Sequence, residues 1–363
     1  MHIAVDGSSW GGQERGVAVA TRRLWFAFLE AASLGHVTTF APQSCARFMS
    51  TGSFFAVGPL SGMRKFVWQQ IQLPPLLRSR HVDLLFCPCY TIPIGGNCRT
   101  VVSVHDLIAL SHWNLVGWKN AVHFRITLGR SIKQADAVCV PTEFVRSQII
   151  ARFGVPKKKV FVVPWGVNSE IERTPRSEAE IKIWTRFGID RPFVLFCGCI
   201  EAKKNVEAAI RGCAMAGRPL VVAGPWISSS HAIVSRLEPS LSRCWRYVGY
   251  VSTGELSALY SAAIALVVTS HSEGFGLPAV EAMRCGCPVI ATDAPAVREV
   301  CRGAAIHVDA RDPVQLACTL RELVGSPSFR SELSLRGLAR AKELTWRRAA
   351  ASFSEAVAFA NRW

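Results

Sequence analysis

Residues 264–293 read IALVVTSHSEGFGLPAVEAMRCGCPVIATD. The opening IALVVTS is an apolar, β-branched run that suits a fully buried strand. Gly274 and Gly276 follow, and Pro278 stands where a helix can begin. LPAVEAMRCG reads as that helix and PVIATD as a second strand. Strand, glycine-bearing loop, helix, strand is the parallel βαβ unit, whose crossover returns the chain to the same edge direction.

The same alternation extends both ways. Towards the N-terminus, FVLFCGC, NVEAAIRGCAMAG, PLVVAGP, RYVGY and TGELSALYSAA alternate strand and helix, and AAIHVDA and two helices at 313–325 and 327–344 follow the central stretch. A first series begins at MHIAVD, passes through a glycine-rich stretch (Gly11, Gly12, Gly16) into the helix VAVATRRLWFAFLEAASLGH, and continues with HVTTFAP, DLLFCPC, TVVSVHD, AVCVP and VFVVPWG. A polar stretch with Pro175 and Pro192 separates the two series. The expected fold is α/β, two doubly wound parallel-sheet domains facing across a cleft. The expected boundaries are 1–170 for the first domain, 171–191 for a linker with a short helix, 192–345 for the second domain, and 346–363 for a C-terminal helix returning to the first. In doubly wound domains ligands meet the C-terminal ends of the strands.

Composition narrows the function classes. The chain has 363 residues, 50% of them hydrophobic, so it can bury two cores and is not a disordered chain. Lys and Arg number 42 against 26 Asp and Glu, a net charge of +16, which calls for an anionic partner. Residues 1–170 carry 18 basic and 8 acidic residues, the larger excess. The positive charges are dispersed and no nucleic-acid-binding motif appears, so nucleic acid is not expected as a partner. The 13 cysteines sit largely in apolar runs and read as core residues of a reducing compartment. No leader-like apolar stretch opens the chain and no run of 18 apolar residues occurs, so a cytoplasmic, non-spanning protein is expected.

Three constellations carry chemistry. In the central stretch, the start of the helix offers free N–H groups to an anion. Glu273 and Glu281 bracket that loop; carboxylates suit sugar hydroxyls better than phosphate. In Cys197-Gly198-Cys199-Ile200-Glu201-Ala202-Lys203-Lys204-Asn205, two lysines at a strand end can neutralise a diphosphate. His105-Asp106 follows the strand TVVSV, with Asp106 able to orient the imidazole or cap the next helix. Two patterns fail: Gly11–Gly16 lacks the Lys-Ser/Thr of a phosphate loop, and the Cys-x-Cys pairs 87/89, 197/199 and 285/287 lack zinc spacing. There is no Asp-x-Asp, hence no expected metal and no expected cofactor.

These residues resemble a family. EGFGLPAVEAMRCGCPVIATD looks like the signature of retaining, GT-B fold group 1 glycosyltransferases, and FCGCIEAKKN, VVSVHDLIALSHW, ADAVCVPTEFVRSQI and VVPWGVN are similar to its other segments, over nearly the whole chain. The resemblance is nearest to mannosyltransferase-like branches that build bacterial surface polysaccharides. It implies a nucleotide diphosphate sugar donor, GDP-mannose as the first choice, and a lipid-linked or saccharide acceptor. It further implies that Glu273 contacts donor-sugar hydroxyls and Glu281 the ribose. Lys203 and Lys204 would grip the diphosphate within the loop Gly274, Phe275, Gly276 and Leu277, Gly274 and Phe275 offering backbone N–H groups. His105 would lie at the reacting sugar, Gly12 or Gly16 would line the cleft, and the base would sit near Gly224 and Val251. Trp165 stands where many members have Asn, and Lys203 where many have Arg. Alternative readings are a non-catalytic basic binding protein, or a GT-B epimerase or phosphorylase; epimerases lack the glutamate pair. Loss of Lys204 is expected to cost turnover more than stability. Finally, 63–73, 76–80 and 112–119 mix basic with large apolar residues, as an anionic membrane surface would require.

Overall fold

In a computed structural model the structure describes residues 1–11, 16–31, 35–49, 52–58, 60, 62–111 and 118–362. The chain divides into two units: Met1–Gly166 with Trp346–Trp363, and Val167–Thr345.

Among the described residues the first unit has seven strands: β1 His2–Asp6, β2 His36–Ala41, β3 Ser53–Ala56, β4 Leu84–Cys87, β5 Arg99–Ser103, β6 Ala137–Val140 and β7 Val160–Val162. They lie in the order β3-β2-β1-β4-β5-β6-β7, and every pairing is parallel. Strands buried on both faces read as continuous apolar runs, which is why LLFC and AVCV are strands without alternation. One face packs Ile3, Val5, Leu84 and Phe86 against Trp25, Phe28 and the C-terminal helix Trp346–Asn361. The other packs Ala4, Leu85, Val102 and Val138 against Trp68, Leu77, Leu128 and Ile149.

The second unit repeats the plan with β8 Val194–Cys197, β9 Leu220–Ala223, β10 Trp245–Gly249, β11 Leu266–Val268, β12 Val289–Thr292 and β13 Ile306–Val308, in the order β10-β9-β8-β11-β12-β13. In both sheets the chain first winds one way and then, after the third strand, the other. The reversal lies between β1 and β4 in the first unit and between β8 and β11 in the second, and there the loops leaving adjacent strand ends diverge and leave a crevice.

The structure corrects the reading of 171–191 as a linker. Arg176–Phe187 is a 12-residue helix of the second unit, with Ala179 and Ile183 buried against the helix Thr253–Ala262. The backbone N–H groups of Glu172 and Thr174 donate to the hydroxyls of Ser257 and Ser261. The segment's polarity belongs to its outward face; two apolar residues four apart, Ala179 and Ile183, suffice to seat one stripe.

Candidate active site

The second unit's crevice is built by the loops after β8 and β11. Because these strands are parallel neighbours, their loops emerge side by side, and residues 69 apart in sequence meet: Lys204 Nζ lies 2.5 Å from Glu273 Oε1. Ser270 Oγ donates to the same oxygen at 2.6 Å. The turn carrying the lysines is pinned to β11, since Thr269 Oγ1 donates to the carbonyls of Lys204 and Asn205 and His271 N donates to the carbonyl of Lys203. Asn205, at φ +48°, ends the turn and reaches the Ala310 carbonyl at 2.6 Å.

The two side chains are only 18% and 12% exposed, so burial works against both charges. Burial pulls the Lys204 pKa down, but the facing Glu273 outweighs it and holds the pKa above the ordinary lysine value. Burial likewise pushes Glu273 up, while Lys204, by charge and hydrogen bond, and then Ser270 hold it below the ordinary glutamate value. Both groups are therefore ionised at neutral pH. Lys203 lies 3.4 Å from Glu201.

The loop then turns into the helix Leu277–Arg284. Gly276 enters at φ +91°, a conformation that side chains rarely tolerate, and Pro278 occupies the first turn. Gly274 is buried, and the Phe275 ring is packed in the core at 2% exposure, so its side chain is not offered to a ligand. Glu281, one turn into the helix, accepts a hydrogen bond from the phenol of Tyr260 at 3.1 Å. At the end of β9, Gly224 (φ +145°) passes so close to β8 that a Cβ on it would lie 2.3 Å from the Gly198 carbonyl oxygen. Tyr247 donates to the Gly224 carbonyl at 2.8 Å, and its ring stands 5.0 Å from that of Trp226. Val251 follows β10 and is half-buried.

In the first unit His105 follows β5 and is 3% exposed. Its Nε2 lies 2.6 Å from the Pro88 carbonyl, which can only accept, so Nε2 carries the proton. Burial lowers its pKa to about 4, leaving a neutral imidazole at physiological pH. Tyr90 and Trp165 stand against it at 5.1 and 5.4 Å between ring centroids. Tyr90 holds φ +64°, a strained conformation for a bulky residue. Asp106 Oδ1 accepts from the Ile108 N–H at 3.2 Å, which is the capping option. Gly16 opens the first helix and is exposed, and Gly12 lies outside the described residues.

Residues 179–339 match the family described as glycosyl transferases group 1, and residues 11–171 match glycosyltransferase family 4. Together these matches run over both units. The chain belongs to the group 1 glycosyltransferases. As such it is a glycosyltransferase enzyme, and its two parallel sheets are those of the GT-B fold. The O-antigen chain mannosyltransferase B of Escherichia coli is 27% identical over 68% of this chain and 67% of its own length. The O-antigen chain mannosyltransferase RfbU of Salmonella typhimurium is 28% identical over 69% of each. The serotype-specific mannosyltransferase WbdA of Escherichia coli is 24% identical over 71% of this chain but only a third of its own length. Among solved structures, WaaG, a glycosyltransferase of lipopolysaccharide biosynthesis, superposes with a TM-score of 0.75 at 14% identity over 97% of this chain and 98% of its own. Anabaena HepE in complex with UDP and glucose gives 0.74 at 16% identity over 98% and 99%.

In this glycosyltransferase the family resemblance assigned Lys203, Lys204, Glu273 and the loop 274–277 to one site, and in the structure the loops that carry them lie side by side. The structure also gives Trp165, noted in the sequence only as a departure, a place beside His105, and adds Ser270, Tyr260 and Tyr90, which no motif marked. Ser270 and Tyr260 hold the two glutamates, and Tyr90 and Trp165 wall His105. A hydroxyl before a glutamate carries little sequence signal. Tyr260 could be found only by knowing that the helix Thr253–Ala262 lies against Leu277–Arg284.

Proposed function

We propose that this group 1 glycosyltransferase moves a hexose, mannose first, from a nucleoside diphosphate sugar to a lipid-linked or saccharide acceptor of bacterial surface polysaccharide, with retention at the anomeric carbon. The observation that carries the reading is the Lys204–Glu273 pair at the mouth of the helix Leu277–Arg284, with Lys203 beside it. Cleaving the bond from C1 to the diphosphate oxygen sends the electron pair onto the nucleoside diphosphate. Fixed positive charge at that oxygen lowers the barrier. Lys204, Lys203 and the N–H groups of the helix start supply it, and this supports a reaction that needs no metal. The Glu273 carboxylate accepts hydrogen bonds from sugar hydroxyls, and Glu281 from the ribose. The neutral His105 offers a polar contact to the sugar without adding a charge that would oppose the developing cationic character at C1.

The mannose assignment draws on the two O-antigen mannosyltransferases, and the HepE complex with UDP and glucose supports a nucleotide site in this fold. Incubating the enzyme with GDP-mannose, UDP-glucose, UDP-galactose or dTDP-rhamnose and a polyprenyl-linked saccharide, with EDTA present, tests the reading. Transfer from GDP-mannose giving an α-linked product by NMR is expected. Transfer only from another donor would overturn the mannose assignment, and loss on chelation restored by Mg²⁺ the metal-free one.

Attachment to an anionic membrane face is part of the same proposal. Among the described residues no helix is long and apolar enough to cross a membrane. Met63, Phe66, Ile71 and Ile94 are exposed on the first unit, and Arg64 and Arg78 are exposed with them. Trp68, Leu73 and Leu77 from the same segment are core residues. The side chains of 112–119 lie outside the described residues. Each basic residue near an anionic surface contributes about 1 kcal/mol. Sedimentation with phosphatidylglycerol vesicles is expected at low salt, and to weaken with Arg64→Glu and Lys65→Glu; no sedimentation at low salt would remove the membrane from the proposal.

A further inference from the structure

A cavity of about 630 Å³ opens in the second unit away from the crevice. Ile264 and Pro288, which precede β11 and β12, line it, so it lies at the starts of strands whose far ends meet the crevice. The helix Leu277–Arg284 spans the distance between the two sites, about 12 Å at 1.5 Å per residue. Its first residue follows the glycine loop, and Cys285 and Gly286, just beyond its end, line the cavity. The volume is that of a small-molecule site, roughly 300–1,000 Å³.

The charge of this cavity is one-sided. Arg173, Arg176 and Arg330 line it, and among the described residues no aspartate or glutamate does. Arg176 is paired with Glu180 at 2.8 Å. Arg173 and Arg330 make no ion pair or hydrogen bond among the described residues. Burial pushes the Cys285 thiol up to about 12, so it adds no negative charge at neutral pH. The wall is also fixed in advance. The carbonyls of Ile171 and Glu172 accept from Arg284 Nε at 2.6 Å and Cys285 Sγ at 3.5 Å, and Thr174 N–H donates to Ser261. Ser334 Oγ donates to the Gly286 carbonyl at 2.7 Å. Gly286 holds φ +72°, and Arg173 lies over it: a Cβ there would stand 3.5 Å from Arg173 Nε.

We propose that this cavity is a second ligand site, separate from the crevice, which takes a phosphate monoester between Arg173 and Arg330. Two cations that line one cavity without counter-charges repel each other, and a dianion turns that repulsion into attraction. The planar guanidinium fork matches the phosphate oxygens in pairs, which a lysine cannot do. A backbone tied down beforehand leaves little ordering cost at the moment of binding. Leu335 and Leu338 line the cavity from the same helix as Arg330, Pro327–Glu343, and give an organic body attached to the phosphate an apolar wall. A soluble phosphate ester and a lipid headgroup share this chemistry.

The test is the rate at which phenylglyoxal modifies each arginine of the full chain, read peptide by peptide by mass spectrometry. Reading each arginine separately distinguishes this cavity from any phosphate held by the crevice lysines. One arm adds glycerol phosphate; the other adds phosphatidylcholine vesicles with and without phosphatidic acid. At ten times its dissociation constant the phosphate should slow modification of Arg173 and Arg330 about tenfold, since about one site in eleven is then empty. Arg302, exposed and outside the cavity, should be modified at an unchanged rate. Protection by glycerol phosphate assigns a soluble ester, and protection by phosphatidic acid alone assigns a lipid headgroup. In Arg330→Ser the phosphate concentration that protects Arg173 should rise about tenfold, the value of one charge-assisted contact, and Arg173→Ser should do the same to Arg330. No protection of Arg173 and Arg330 by either probe would overturn the proposal, and that measurement needs no variant. Protection of one arginine that is unaffected by loss of the other would overturn it too, because the two would then not share a ligand.

Discussion

At the residue scale the decisive feature is that Lys204 and Glu273 neutralise each other in a site that is mostly buried. Their mutual attraction offsets a desolvation cost that neither would bear alone. Removing Lys204 therefore does two things at once. On the proposed reading it takes a cation from the departing diphosphate, a loss on the order of 10²–10³ in rate. It also leaves Glu273 with Ser270 but without its counter-charge. To the expectation that loss of Lys204 costs turnover more than stability, this contact adds a definite stability cost. Lys204→Ala should lower stability by about 2–4 kcal/mol, and Glu273→Gln added to it should restore part of that, because the amide carries no charge to strand. Thermal melts of the two single variants and the double variant check this; additive losses would show that the pair is not coupled. The pH dependence has a definite sign. The lowered Glu273 value makes its contribution present above the ordinary glutamate range and lost as pH falls through the folded value. The raised Lys204 value makes its own present below the ordinary lysine range and lost as pH rises through the folded value.

His105 gives a second prediction at the same scale. Its folded pKa of about 4 lies below the ordinary 6.5, so the unfolded chain binds the proton first. Stability from keeping the ring neutral is complete above 6.5 and is lost as pH falls towards 4, by about 3 kcal/mol in all. Urea melts of the wild type and His105→Asn between pH 7 and pH 4 should show the wild type losing that increment and the variant lacking it. An assigned His105 imidazole proton resonance titrating near 6.5 would contradict the buried, neutral ring.

At the scale of elements, the central strands and their crossovers were legible because those strands are buried on both faces and read as apolar runs, whereas β3, only partly buried, was not read from the sequence. FVLFC and PLVVA announced β8 and β9 without any structural knowledge. The helix Arg176–Phe187 was expected, but as part of a linker and not of the second unit, since its buried face consists of little more than Ala179 and Ile183. The site was legible where glycine and proline punctuate it and illegible where it depends on which loops share a strand end. The contact between Lys204 and Glu273 is of the second kind, and so is the junction of β8 with β9. There Gly224 has no room for a side chain and holds a φ that strains one. Gly224→Ala should push the Gly198 carbonyl, and with it the entry to the lysine turn, out of place. Destabilisation by several kcal/mol is expected, more than the 1 kcal/mol typical of a point substitution. Gly303→Ala, at a position with open space and an ordinary φ, is the matched control and should change little.

At the scale of the molecule, the chain leaves the first unit at Gly166, builds the second, and returns at Trp346 to finish the first. The return is structural. Ala349, Ala350, Phe353, Ala356, Val357 and Ala360 of the last helix are buried, and the Phe353 ring meets Phe86 of β4 at 4.5 Å and Phe28 at 5.0 Å. Small alanines bring this helix close to the sheet and let one large ring fill the gap; Phe353→Ala alone should cost about 3–5 kcal/mol. The second unit has its own core, from Val194 and Phe196 to Leu316 and Leu320, and takes nothing from residues beyond 345. Truncation after Thr345 should therefore separate what the intact chain keeps together. Hydrogen exchange should show protection lost in β1, β2, β4 and β5 and retained in β8, β9, β11 and β12. Nucleoside diphosphate binding, which the proposed reading assigns chiefly to residues of the second unit, should persist in the truncated chain, while sugar transfer, which the reading assigns in part to His105 of the first unit, should disappear. If the truncated chain lost protection in both sheets together, the second unit would not stand on its own core, and the assignment of the nucleotide site to that unit would need a contribution from the first.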